Sequence, residues 1–228
     1  MNALIAAAVI FVGGHFLLSS AAVRPLLVAR FGEGPFRGFY SVVVLGSFVW
    51  MLFAYGAAPY VQLWFTPIGL YWLPVIVMPF AAVLVVSSLT TPNPTLAGSE
   101  RLLDDGVGSP AVGIISITRH PFLWGTGLWA ISHLAVNGDL ASVILMGAIA
   151  VLSFAGMAHI DARKEATLGA AWGPMKLTTS RLPFGAVLAG RSKVDWHGIG
   201  WWRPLLGLAL YLGLMHIHLM AFGVSPLP

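Results

Sequence analysis

Stretches of about 20 predominantly apolar residues, long enough to cross a bilayer, recur along this chain at 2–23, 38–58, 68–89, 120–136, 140–160 and 201–222. Segments of that kind confine a chain to architectures in which every backbone polar group is satisfied without water, and for single apolar segments this means helices. Hydrophobic residues make up 58% of the chain and charged residues 9%, with a mean hydropathy of +0.86. A soluble domain of 228 residues has too little interior to hide that much apolar surface. The expected fold class is all-α: a polytopic membrane helix bundle of about six transmembrane helices, built as a single integral membrane domain over residues 1–228.

The twelve Lys and Arg residues sort these spans by direction. Arg24, Arg30 and Arg37 fall in the connection 24–37, and Arg101 and Arg119 in 90–119. Arg163, Lys164, Lys176, Arg181, Arg191 and Lys193 fall in 161–200, and Arg203 follows just inside the last span. The alternate connections, 61–67 and 137–139, carry no cation. With six spans every cation lies on one face, which the positive-inside rule makes cytoplasmic. Both termini are then expected on the outer, periplasmic side of a bacterial cytoplasmic (inner) membrane. A net charge of +4 is explained by this orientation toward anionic headgroups, so membrane lipids are the expected partner and nucleic acid is not.

Several chemistries are excluded. The chain has no cysteine, hence no disulfide, thiolate ligand or cysteine nucleophile. Residues 1–23 lack a basic region ahead of the apolar stretch and exceed a signal-peptide core, so they are expected to be a retained helix. Pro92 and Pro94 should stop the third span, while Pro74 and Pro79 should bend it and free carbonyls for neighbours to satisfy. The apolar stretch 111–117 is expected to lie against the membrane surface. Asn137-Gly138-Asp139 reads as a tight turn that makes its flanking helices antiparallel neighbours.

With no Asp, Glu or Cys in the spans, histidine is the strongest chemical signal there. His120 and His159 open and close spans at the cytoplasmic boundary and His197 lies in a loop, positions natural to interfacial polar residues. His15, His133, His216 and His218 lie inside spans, where an imidazole needs a partner. On the predicted spans His15 stands roughly 12 Å above the cytoplasmic end of its helix and His133 roughly 20 Å, a difference in height of roughly 8 Å. His218, at roughly 25 Å, keeps a pairing of His133 with His218 open. Gly125, Trp129 and His133 share one helix face, and Gly13 and Gly14 precede His15; each stripe suits either close helix packing or the approach of a flat ligand. Two neutral imidazoles from separate helices facing an apolar slot suit haem, whereas di-iron carboxylate and structural zinc sites have no ligands here. Arg24 and Arg119 stand at the edge where propionates or lipid headgroups are found.

Several stretches resemble the NnrU family of bacterial membrane proteins. They are Gly14-His15-Phe16-Leu17-Leu18-Ser19-Ser20, Arg37-Gly38-Phe39-Tyr40-Ser41, Ala58-Pro59-Tyr60 with Trp64, and Ile117-Thr118-Arg119-His120-Pro121-Phe122-Leu123-Trp124-Gly125. They continue through Trp129-Ala130-Ile131-Ser132-His133-Leu134 and Asn137-Gly138-Asp139, ending at His218 and Gly223-Val224-Ser225-Pro226. That family is similar in turn to the 15-cis-zeta-carotene isomerases of plants and algae, membrane enzymes that hold haem b between two histidines. The resemblance implies haem b as cofactor and His15 and His133 as its axial ligands. It also implies a link to denitrification or nitric oxide metabolism, with an isomerase-like activity on an apolar small molecule or an association with a nitrogen-oxide reductase. The isomerases carry a cysteine near the second histidine, and its absence here excludes thiolate ligand exchange.

Arg119-His120-Pro121, followed by Glu165, Leu168, Trp172-Gly173 and Leu182-Pro183, also resembles membrane methyltransferases of the isoprenylcysteine carboxyl type. That resemblance implies S-adenosylmethionine held at the cytoplasmic edge by Arg119, His120 and Glu165. A third expectation is a non-catalytic assembly or regulatory component whose histidines serve only in hydrogen bonds.

Overall fold

The computed structural model of the protein describes residues 1–95 and 111–228; Glu100, Arg101, Asp104 and Asp105 of the long loop lie outside the described residues. The chain is helical, without β-strands among the described residues. The first three helices are α1 (Asn2–Leu18), α2 (Arg24–Phe31) and α3 (Glu33–Gly56), followed by α4 (Trp72–Thr90), α5 (Pro121–Val136) and α6 (Leu140–Leu168). Three short helices, α7 (Gly173–Thr178), α8 (Gly185–Leu188) and α9 (Trp196–Ile199), lead into α10 (Trp202–Phe222).

Four segments are long and apolar enough to cross a membrane: Glu33–Gly56, Ile68–Thr90, Leu140–Thr178 and Trp202–Phe222. Helices α1 and α5 match the two remaining predicted spans but are shorter, at 17 and 16 residues. Large apolar side chains such as Phe53, Phe80 and Met220 are 75%, 66% and 84% exposed on outward faces, surfaces suited to lipid rather than water.

The long helices stand in single file in the order α3, α1, α6, α5, α4, α10. Neighbours run antiparallel except α1 and α6, which run parallel, with Leu4 packed near Leu145 at one end and Ser19 bonded to His159 at the other. His15 meets Tyr40 while Phe11 meets Phe48, and Trp124 meets Phe154. Arg203 bonds Thr90 while Tyr211 bonds Val75. The alternating direction of successive long helices along the chain brings the described Lys and Arg residues to one end of the bundle. Glycines set the closest approaches. A Cβ on Gly125 would stand 2.6 Å from Val85 and 2.8 Å from the Ala81 carbonyl oxygen, and one on Gly207 would stand 2.6 Å from the Val83 Cα. Gly125 thus lets α5 press against α4, the helix-packing alternative of the two left open by its stripe.

Pro79 lies inside α4. Lacking an N–H, it leaves the Val75 carbonyl without its helical donor, and the Tyr211 hydroxyl of α10 donates to that oxygen at 3.1 Å. Asp139 caps α6, accepting from the Ser142 N–H at 3.0 Å, and the turn holds α5 and α6 as antiparallel neighbours.

Three expectations are corrected. The first span ends at Leu18 rather than 23, because the Ser19 hydroxyl donates to the His15 carbonyl and Ser20 to that of Leu17, closing the helix end. The connection 24–37 is itself helical, broken only at Gly32, whose φ of 83° favours glycine. The stretch 111–117 does not lie on the membrane surface. Its Ile114 and Ile115 are buried and pack with Trp172 and Met175, and the Asp195 carboxylate pins it by accepting the Gly113 N–H at 2.8 Å.

Candidate functional site

The curved row of helices encloses a cavity of about 970 Å³ on its concave side, at the upper end of the range of about 300–1,000 Å³ common for small-molecule sites. Every long helix contributes to it. Apolar walls come from Phe11 of α1, Phe48 of α3, Met78 of α4, Trp129 of α5, Leu152 of α6 and Leu214 of α10. The polar lining gathers at the arginine-rich end, where Arg24, Arg37, Tyr40, His159 and Arg163 face the cavity. No Asp or Glu lines it among the described residues.

His15 lines this cavity. Its Nδ1 stands 2.8 Å from the Phe11 carbonyl oxygen, one helical turn back, and with that nitrogen as donor Nε2 is left as a lone-pair donor. A backbone carbonyl on one ring nitrogen is the usual means of orienting an imidazole for a metal at the other. The Phe11 and Tyr40 rings meet the imidazole edge-on, at 4.7 and 5.9 Å between centroids.

His133 has the same local geometry in a different place. Its Nδ1 is 2.9 Å from the Trp129 carbonyl oxygen, and its ring stacks on the Trp129 indole at 5.1 Å. Trp129 and Gly125 line the cavity, but His133 does not. The height difference exceeds the expected one. His159, beside Ser19, lies six residues along α6 from Ser153, which bonds Thr126 of α5, and His133 lies seven residues beyond Thr126. At 1.5 Å per residue this puts His133 about 13 Å above His15, because α1 ends five residues early. His218, on α10, has its Nδ1 2.9 Å from the Val224 carbonyl oxygen. His15, Gly125 and Trp129 are thus brought together at the cavity, while neither His133 nor His218 lines it.

Arg119 does not line the cavity. It is 7% exposed and stands 3.7 Å from Asp161, whereas Arg24 lines the cavity. Asp161 also takes His120 Nε2 at 2.9 Å and Arg181 at 3.4 Å. Glu165 is held by Lys176 at 2.8 Å on the surface. Asp161 escaped the sequence reading because its partners stand about 20 to 42 residues away in the chain.

His159, assigned to the interface from sequence, lines the cavity instead. A signal for it existed: Ile149, Leu152, Ser153, Gly156, His159, Ile160 and Arg163 repeat at intervals of three and four, one face of a helix, and all of them line the cavity.

Among the described residues no group of three or more His, Cys, Asp or Glu could hold a metal ion. Haem asks less of the protein, since its ring supplies four nitrogens and the chain only axial ligands. An oriented imidazole, apolar and aromatic walls and a cationic rim without carboxylates among the described residues fit that group, and His15 is the histidine in the cavity that could ligate it.

A family model described as NnrU protein matches residues 3–226. A stretch of 110 residues, 46% of this chain, is 33% identical to 15-cis-zeta-carotene isomerase, chloroplastic, of Zea mays. It covers 30% of that enzyme, so the chain matches less than a third of the relative's length. No solved structure matches.

Proposed function

Because the chain belongs to the NnrU protein family, we propose that it is a haem b-binding protein of the bacterial cytoplasmic membrane with an isomerase-like activity on an apolar small molecule, linked to denitrification or nitric oxide metabolism. In this reading α1 and α5 complete six spans, both termini face the periplasm, and the arginine-rich end is cytoplasmic. The observation that carries the reading is His15, its Nδ1 bound to the Phe11 carbonyl and its ring on a cavity walled by six helices. Haem supplies a redox-active iron that accepts axial ligands.

The chain's own residues supply the rest. His15 presents Nε2 to the cavity, and the helical carbonyl holds its tautomer. Phe11, Phe48 and Trp129 exclude water, which strengthens every electrostatic interaction inside. His133 stands behind the Trp129 indole on which it stacks, so any contact between His133 and the bound group would require that indole to move. The bound group would supply an iron able to take a small ligand such as nitric oxide, and an apolar substrate would have the remaining volume.

The test is the absorption spectrum of purified protein, oxidised and reduced. The expected result is a Soret band that His15→Ala abolishes, while His133→Ala retains the haem. A full haem complement in His15→Ala, or purified wild-type protein that takes up no haem, overturns the reading.

A further inference from the structure

The two ends of the cavity differ in chemistry. Toward the middle of the bundle its walls are apolar, from Leu45, Phe48, Met78, Ile149, Leu210 and Leu214. At the arginine-rich end three guanidinium groups line it, those of Arg24, Arg37 and Arg163. The nearest described carboxylate, Glu33, stands outside the lining and is divided between two of them. Its Oε1 accepts from Arg24 at 2.7 Å and from Arg37 at 2.8 Å. One carboxylate oxygen holding two guanidiniums leaves that pair with a net positive charge and further N–H donors.

The other polar groups at this end add no negative charge. The Ser19 hydroxyl gives its hydrogen to the His15 carbonyl, so toward His159 Nε2, at 2.9 Å, it accepts, and His159 is an N–H donor there. Tyr40 and Ser41 add hydroxyl groups to the same lining. Helices α3 and α10, the two ends of the row, both contribute to the cavity and make no extensive contact with each other among the described residues. A ligand can therefore pass between them from the bilayer.

We infer that the cavity takes an amphipathic molecule with an anionic head, its carboxylate or phosphate held by Arg24 and Arg37 and its apolar body lying between α3 and α10. Haem propionates and the head of an acidic lipid share this chemistry. A neutral hydrocarbon would leave the guanidiniums facing apolar atoms, and a cationic amphipath would be repelled.

Binding to purified haem-free protein in neutral detergent tests this. Oleate, oleyl alcohol and oleylamine compete against one fluorescent fatty-acid reporter, and in parallel haem is titrated against its dimethyl ester. A charge-assisted contact with a guanidinium predicts that oleate or haem binds at least about tenfold more tightly than its uncharged counterpart, with oleylamine weakest. Preference for oleate assigns the head site to a lipid acid, and preference for haem over its ester assigns it to propionates. In Arg24→Gln/Arg37→Gln the preference falls to near unity. Equal binding of charged and uncharged forms by the wild-type protein overturns the inference without any variant, as does a double variant that keeps the preference. His15→Ala separates this inference from the haem reading, since it removes the Soret band and leaves the oleate preference intact.

Discussion

His159 Nε2 stands 2.9 Å from the Ser19 hydroxyl, a bond that ties α6 to the last turn of α1 at the rim of the cavity. Ser19 performs two tasks with one hydroxyl: it donates to the His15 carbonyl and accepts from the imidazole. Both closing the helix and placing His159 depend on it. Ser19→Ala is expected to lower stability by about 1 kcal/mol and Ser19→Thr to restore most of it, read as thermal unfolding in detergent. An Ala variant as stable as wild type would contradict the pairing.

The bond from Tyr211 to Val75 exists because Pro79 cannot supply a donor, so the two residues should be energetically coupled. Tyr211→Phe alone should cost about 0.5–1.5 kcal/mol. In a Pro79→Ala background, where the alanine N–H reaches the Val75 carbonyl, the same change should cost markedly less. A double-mutant cycle measures the difference, and perfect additivity would refute the link.

Gly125 of α5 and Gly13 of α1 should respond oppositely to an added methyl group. At Gly125 the new Cβ meets the Ala81 carbonyl oxygen at 2.8 Å, backbone that cannot yield, so Gly125→Ala should force α4 and α5 apart and cost about 1–3 kcal/mol. At Gly13 nothing lies within 4 Å, and Gly13→Ala should be neutral or stabilising by up to about 1 kcal/mol from helix propensity. Side-by-side melting curves decide between these and a uniform response.

The Asp195 clip should fail only in strong acid. The Gly113 N–H first, and the Gly198 N–H second, hold its carboxyl below the usual carboxylate range. A group whose folded-state pKa is depressed contributes stability that is present above its unfolded value, about 3.9, and is lost as the pH falls through the folded value. Limited proteolysis of the 111–117 and 194–199 segments should thus be unchanged from pH 7 to 5 and increase below about 4. Asp195→Ala should show the increased cleavage already at neutral pH.

Much of the bundle was legible in the residues themselves. Apolar stretches located the six long helices, Pro79 announced a carbonyl in need of a donor, and Asn137-Gly138-Asp139 announced an antiparallel pair. These features act through bonds between residues a few positions apart, so a linear reading contains them. Helix ends were read less well where short-range side chains intervened, as at Ser19 and Ser20, whose hydroxyls close α1 a full turn before the apolar composition runs out.

What the linear order could not contain is which faces meet. Periodicity marked Gly125, Trp129 and His133 as one stripe, yet Gly125 packs on α4, Trp129 lines the cavity and His133 lies behind it. Position at the end of a span placed His159 at the cytoplasmic boundary, and only the packing shows that its face of α6 forms a wall of the cavity. Helix rotation and lateral order are decided by packing between segments far apart in sequence, here by small residues such as Gly125 and Gly207 that admit a neighbouring backbone. The amino-acid sequence alone determined a membrane helix bundle with imidazoles in its spans. The tertiary structure decided that His15 and His159, not His15 and His133, share a cavity, because only the lateral order of the helices says which polar groups face the same space.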